Sequence, residues 1–361
     1  MKKYKLNSYN LSKFKSFEYK KVLKKYNTKF KSSKDKLNAC LYYVYWDSGV
    51  DVNNYIYFMY YSVLSFLFFT DANNIDIKIF INHERIEEFI ELFSGISNNI
   101  ELIGYHPEEI FWNIEEEYVS CKRKNKQRFA NHPSLQKYDV AVLADADLFV
   151  YANNRNLFKD LLSIYKYNKK YDKNDKLIDI GWNYKAKSKV LMLNGPLEFN
   201  DIFERRRKDL AKMFKSKEEY ELWFQNRLNI NSEDMKIFKK SPMWFISALT
   251  IYQPGIHFSS EKWDKFQQAS SDFQIMCDET IFITYCFSEN IDISPINKTL
   301  SNIIEYQSST LNKNISDLDI SQDQLYILHE LNGDNQDNNS KYIAEFFNYI
   351  EEKAKQKAEE V

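Results

Sequence analysis

Lys137–Val150 reads KYDVAVLADADLFV, and the fold turns on how it is read. Val140–Ala144 is an unbroken apolar run of strand length. Such a run suits a strand buried on both faces, as in a parallel sheet. It ends at Asp145, Ala146 and Asp147. Side chains alternate along an extended chain, so residues two apart point the same way and the two carboxylates can converge. In open α/β sheets, ligands bind at the carboxyl ends of the strands. Two like charges at close range repel unless something cationic sits between them. A divalent metal answers that need, and hard carboxylate oxygens suit Mg²⁺ or Mn²⁺, with substrate phosphates completing the shell. Asp is also common in turns after strands, so a turn-forming role for both residues stays open.

Outward from this segment the pattern is that of a strand–helix alternation. Leu37–Tyr45 (LNACLYYVY) predicts a first strand, and Trp46–Asn54 (WDSGVDVNN) a polar loop. Tyr55–Phe69 is apolar all round and of helix length, hence a buried helix. Ile75–Asn82 alternates as a second strand, Glu84–Phe93 is an amphipathic helix, and Ile100–Tyr105 is a third strand. This order predicts an α/β fold with a central, mostly parallel sheet joined by right-handed crossovers. Downstream, Asn156–Tyr165 predicts a helix, Ile178–Tyr184 and Lys189–Leu193 short strands, and Asp201–Leu228 a helix carrying Leu210, Met213, Phe214, Leu222, Trp223 and Phe224. Met243–Tyr252 predicts a strand closed by Pro254 and Gly255, Cys277–Glu289 a helix, and Tyr326–His329 a last strand. Gly333–Ser340 is a polar loop and Lys341–Glu360 a charged terminal helix.

Composition bounds the function classes. A chain of 361 residues with 44% hydrophobic content can bury a large core. A net charge of −1 gives no electrostatic case for nucleic-acid binding. Residues 1–36 hold thirteen Lys against Glu18 and Asp35. Such a run is a solvated arm or a contact to an anionic membrane surface or polymer. The sequence therefore divides into a basic extension (1–36), a catalytic domain (37–340) and a charged helix (341–361). Cys40, Cys121, Cys277 and Cys286 form no C-x-x-C, so free buried thiols in a reducing compartment are expected. The first ten residues hold no signal-peptide apolar core, and Tyr55–Phe69 is too short to span a bilayer. A cytoplasmic location is expected.

Five pieces in this order resemble the nucleotide-sugar-dependent glycosyltransferases of the A-type fold with a D-x-D motif, the glycogenin- and galactosyltransferase-like group. They are the first strand running into Tyr45-Trp46-Asp47, KYDVAVLADADLFV at 137–150, MWFISALTIY at 243–252, CDETIF at 277–282 and LHELNG at 328–333. The resemblance covers roughly residues 37–335 and implies one Rossmann-like A-type domain. It departs from relatives with a C-terminal H-x-x-G motif: Gly333 lies four residues after His329, and the next Lys is Lys341.

The resemblance implies transfer of a sugar from a nucleotide diphosphate sugar, uridine-linked in most of the group, to a hydroxyl acceptor such as a glycan. It implies metal ligation by Asp147, by Asp145 directly or through water, and by His329, whose nitrogen shifts preference towards Mn²⁺. Asp145-Ala146 and Arg128 would contact the donor, and Trp244 and Ser247 would floor the sugar pocket. Tyr45, Trp46 and Asp47 end the first strand, where an aromatic face can stack on uracil and an acceptor can fix its N–H edge; a core aromatic is the other reading. Asp278 and Glu279 open a predicted helix, where acidic residues are good caps; one could instead deprotonate an acceptor hydroxyl. A catalytically weak sugar-nucleotide-binding or assembly protein on the same fold remains a rival. An aspartyl-phosphate phosphatase is disfavoured, because Leu148 and Phe149 follow Asp147 and three strands precede the motif.

Overall fold

The computed structural model describes residues 37–45, 52–82, 86–93, 99–106, 129–152, 155–167, 170–171, 177–178, 189–194, 215–227, 231–233, 236, 245–258, 282, 285–286, 289, 291, 293–307, 324–329, 348 and 352. In chain order the elements are β1 (Ala39–Tyr45), α1 (Val52–Phe69), β2 (Asp76–Asn82), α2 (Ile86–Phe93), β3 (Ile100–Tyr105), β4 (Val140–Ala144), β5 (Phe149–Ala152) and α3 (Leu157–Tyr167). There follow β6 (Lys170–Tyr171), β7 (Leu177–Ile178), β8 (Val190–Asn194), α4 (Lys217–Arg227), β9 (Phe245–Tyr252) and α5 (Pro254–His257). The chain continues through β10 (Ile293–Pro295), α6 (Ile296–Thr299), β11 (Ile303–Gln307) and β12 (Leu325–His329).

The protein is of the expected α/β class, with helices flanking a seven-stranded sheet of order β10-β8-β9-β4-β1-β2-β3. β1–β2, β2–β3 and β10–β8 pair in parallel, whereas β8–β9 is antiparallel. A second sheet has the order β11-β12-β5. Two compact units are present. One comprises Met1–Tyr105, Val142–Ile164 and Leu300–Val361; the other comprises His106–Ala141 and Tyr165–Thr299.

In the first unit, β1 (ACLYYVY) is apolar on both faces, and every residue but Val44 is buried. α1 carries no charge along its 18 residues, and Phe58–Phe69 is buried throughout. It starts at Val52, inside the stretch expected to be loop, because Val52, Asn53 and Asn54 extend its first turn. α2 is amphipathic: Phe89 and Phe93 are buried and Ile90 is exposed. The Phe89 ring lies 4.7 Å from Tyr45 and stacks 5.9 Å from Phe93. Burial of one such ring stabilises by about 2–3 kcal/mol. The one cation in β2, Lys78, is buried and pairs with Glu101, its register partner on β3. β4 is buried at all five positions, as its apolar run predicts.

In the second unit, the Tyr165 hydroxyl donates to the Lys189 carbonyl at 2.9 Å, and the Tyr252 hydroxyl donates to the Ala130 carbonyl at 2.8 Å. These bonds tie buried aromatics to the backbone of neighbouring segments. Leu222 on α4 is 58% exposed, so it is not part of a buried stripe. Cys40 and Cys286 are buried free thiols, and burial pushes the Cys286 thiol well up. Among the described residues, no helix is long and apolar enough to cross a membrane. The basic extension, the 333–340 loop, Cys121 and Cys277 lie outside the described residues.

Candidate metal centre

β4 delivers its chain to a tight turn at the carboxyl end of the strand. The Leu148 N–H donates to the Asp145 carbonyl at 3.1 Å, closing a four-residue turn that contains Ala146 and Asp147. The chain then enters β5, a strand that the sequence reading did not anticipate. β5 pairs antiparallel with β12, from Leu328 opposite Phe149 to Leu325 opposite Ala152. His329 is the next residue of β12, so the ladder carries it to the acidic turn. β11 flanks β12 on its other side in parallel register, with Gln307 opposite His329.

One ligand atom each from Asp145, Asp147 and His329 lies within 4.8 Å of the others. The His329 Nε2 is 3.9 Å from an Asp145 oxygen and 3.8 Å from an Asp147 oxygen. Both gaps are too long for a hydrogen bond. Two metal–ligand bonds of about 2.1 Å let one ion span up to about 4.2 Å, so both gaps are within reach of a shared cation. His329 is 5% exposed, and its Nδ1 is buried without a hydrogen-bond partner. Nδ1 thus has no partner among the described residues, while Nε2 faces the two carboxylates at distances too long for a hydrogen bond. Asp145, Asp147 and His329 would together hold a cation, which would offset the like charges of the two carboxylates. Asp145 and Asp147 keep 23% and 17% side-chain exposure, so a ligand can approach from solvent. Two hard oxygens and one imidazole suit a divalent ion such as Mn²⁺ or Mg²⁺. The residues present therefore fit the group.

Ala146 sits in the turn between the two carboxylates, half-buried. Tyr45 ends β1 but is 2% exposed, with its ring against Phe89, so the core takes up the face that a base would need. Its carbonyl accepts from the Tyr105 hydroxyl. Ser247 lies within β9, in the unit that does not contain the metal-binding candidates. Trp46, Asp47, Arg128, Trp244, Asp278 and Glu279 lie outside the described residues. The signal that could have revealed β5 is the run LFVYA at 148–152, apolar from the residue after Asp147 onward.

No family model matches the chain, and no curated protein matches it. Among solved structures, it is similar to mouse xyloside xylosyltransferase 1 in its apo form, at 9% identity and a TM-score of 0.41, over 80% of this chain and 96% of that one. It is also similar to the mannosyltransferase Ktr4p from S. cerevisiae, at 13% identity and a TM-score of 0.44, over 78% of this chain and 79% of that one.

Proposed function

We propose that the chain is a metal-dependent glycosyltransferase that moves a sugar from a uridine diphosphate sugar to a hydroxyl acceptor such as a glycan. The observation that carries this reading is the convergence of Asp145, Asp147 and His329 where a fully buried strand ends. Asp147 and His329 would hold the ion, and Asp145 would hold it directly or through water. When bound, a divalent ion supplies electrostatic stabilisation of the charge that develops on a departing diphosphate. The chain itself supplies three things. The carboxylates offer hard oxygens at a strand end open to solvent, the β5–β12 ladder fixes the imidazole, and the buried strand behind them keeps water from that side. Mn²⁺ is the expected ion, because a nitrogen ligand joins the oxygens. The carboxylate that would take the acceptor proton is assigned to Asp278 or Glu279 on sequence grounds alone.

The test is a thermal-shift screen of uridine and guanosine diphosphate sugars, each with and without Mn²⁺. A rise in melting temperature is expected for uridine nucleotides with Mn²⁺, and a smaller rise without it. Stabilisation by guanosine nucleotides alone would overturn the donor. Stabilisation by nucleotides with no effect of any divalent ion would overturn the metal dependence.

A further inference from the structure

The buried part of α1, Phe58–Phe69, is apolar or aromatic except at Ser62 and Ser65, and both serines are fully buried. Residues three apart share a helix face, so the two hydroxyls reach the same neighbour. That neighbour is the strand that follows the acidic turn. The Ser62 hydroxyl donates to the Leu148 carbonyl, and the Val150 N–H donates to Ser65 Oγ at 3.1 Å.

The hydroxyl protons can be assigned. A carbonyl only accepts, so the single proton of Ser62 is committed to Leu148. The Tyr43 hydroxyl, 3.0 Å from Ser62 Oγ, is then the donor in that pair. Burial holds the Tyr43 phenol well above its ordinary pKa, so it keeps the proton it donates. The Ser65 proton goes to the Ser62 carbonyl at 2.7 Å. Each of the three hydroxyls donates once, and both serine oxygens also accept.

The arrangement meets a need created by the topology. β5 is the edge strand of its sheet, with β12 on one side only. An edge strand presents unpaired N–H and C=O groups on its open side. Leu148 and Val150 are fully buried, so unpaired backbone groups there would be costly. Ser62 and Ser65 stand where a further strand would be. The turn with Asp145 and Asp147 thus leads into a strand gripped from both edges: by β12, which brings His329, and by α1.

We propose that Ser62 and Ser65 are positioning residues of the metal centre, setting the spacing of Asp147 from His329 by fixing β5 against α1. This rests on the reading of Asp145, Asp147 and His329 as metal ligands. Neither serine touches the ion; each acts through the backbone of Leu148 or Val150.

The experiment is calorimetric titration of the full chain with Mn²⁺ alone, for wild type, Ser62→Ala, Ser65→Ala and Thr70→Ala, each shown folded by circular dichroism at the working temperature. Thr70 is the control, because its buried hydroxyl, at the same helix's end, donates to the Phe66 carbonyl at 2.6 Å and accepts from the Ala72 N–H at 3.3 Å, with no hydrogen bond to β5 among the described residues. Each serine variant is expected to bind Mn²⁺ about tenfold more weakly, as outlying partners of metal ligands do, and Thr70→Ala as tightly as wild type. If an alanine variant does not fold, Ser65→Cys fills the site with a slightly larger group that is a much weaker acceptor, and the same weakening is expected. Wild-type affinity in the serine variants would overturn the positioning role and leave the metal centre standing. Equal weakening in Thr70→Ala would also overturn it, by showing general softening of the helix. Failure of wild type to bind Mn²⁺ would remove the metal centre itself, and the proposal with it.

Discussion

Asp71→Ala is expected to destabilise the protein by about 2 kcal/mol at neutral pH. Asp71 is 3% exposed and lies 86 residues before Leu157, the first residue of α3. Its two oxygens accept from the N–H groups of Phe158 at 2.9 Å and Lys159 at 3.2 Å. It therefore caps the first turn of α3 from a distant segment, the task an N-cap side chain normally performs. Hydrogen bonds to a charged acceptor contribute about 1.5–3 kcal/mol each, and the cost of burying the carboxylate offsets part of that sum. Asp71→Asn keeps one acceptor and buries no charge, so it should cost less than about 1 kcal/mol.

The pH dependence has a definite sign. Burial, the largest influence, raises the Asp71 carboxyl above its ordinary range; the backbone N–H groups it faces lower it, and the nearby charge of Asp160 raises it. The folded chain thus holds a proton that the unfolded chain has released. The proton-linked part of this stability is full below about pH 4 and is lost as pH rises through the folded value, leaving the hydrogen bonds of the ionised carboxylate at neutral pH. The advantage of wild type over Asp71→Asn should shrink across that interval. Urea unfolding followed by circular dichroism at several pH values measures both effects. A cost below about 0.5 kcal/mol for Asp71→Ala would refute the cap, and an unchanged pH slope in Asp71→Asn would refute the raised carboxyl.

Three further outcomes are expected. His329→Ala removes a ligand outright, so it should weaken Mn²⁺ binding by more than the roughly tenfold that loss of an outlying partner costs, measured by calorimetry, with the unfolding midpoint little changed in the absence of metal. Phe149→Ala, which removes a fully buried ring beside Phe58 at 6.4 Å, should destabilise by about 3–5 kcal/mol in urea unfolding and lower metal affinity by loosening the β5–β12 ladder. Alanine at both Asp278 and Glu279 should slow transfer to the acceptor while nucleotide-sugar affinity is retained; unchanged transfer rates would make the two residues helix caps only.

What the sequence made legible follows from physical contrast along the chain. β1, α1 and β4 are long or unbroken apolar runs, and each was identified as a strand or helix at nearly its observed bounds. Asp145 and Asp147 were singled out because charge follows directly on such a run. β5 was not legible, since four residues straight after the motif read as its tail. The same holds for β10, which is only three residues long. His329 was named from the resemblance and not from spacing; its approach to the turn depends on β5 and so was not derivable. Ser62 and Ser65 carry no local signal, because a serine on a helix is ordinary until its partner, 86 or 85 positions away, is known. The Asp71 cap is hidden in the same way, with partners 87 and 88 positions away.

The central claim is that Asp147 holds a divalent ion that binds the diphosphate. Its most direct test is calorimetric titration with uridine diphosphate, with and without Mn²⁺, on wild type and Asp147→Asn. The substitution keeps the shape of the side chain and removes one charge, and relief of like-charge repulsion with Asp145 protects the metal-free fold. The account predicts that Mn²⁺ tightens nucleotide binding in wild type and that this dependence is largely lost in the variant. Sugar transfer should then fall by about a hundredfold or more. Equal Mn²⁺ dependence in both proteins would contradict the account and place the ion elsewhere.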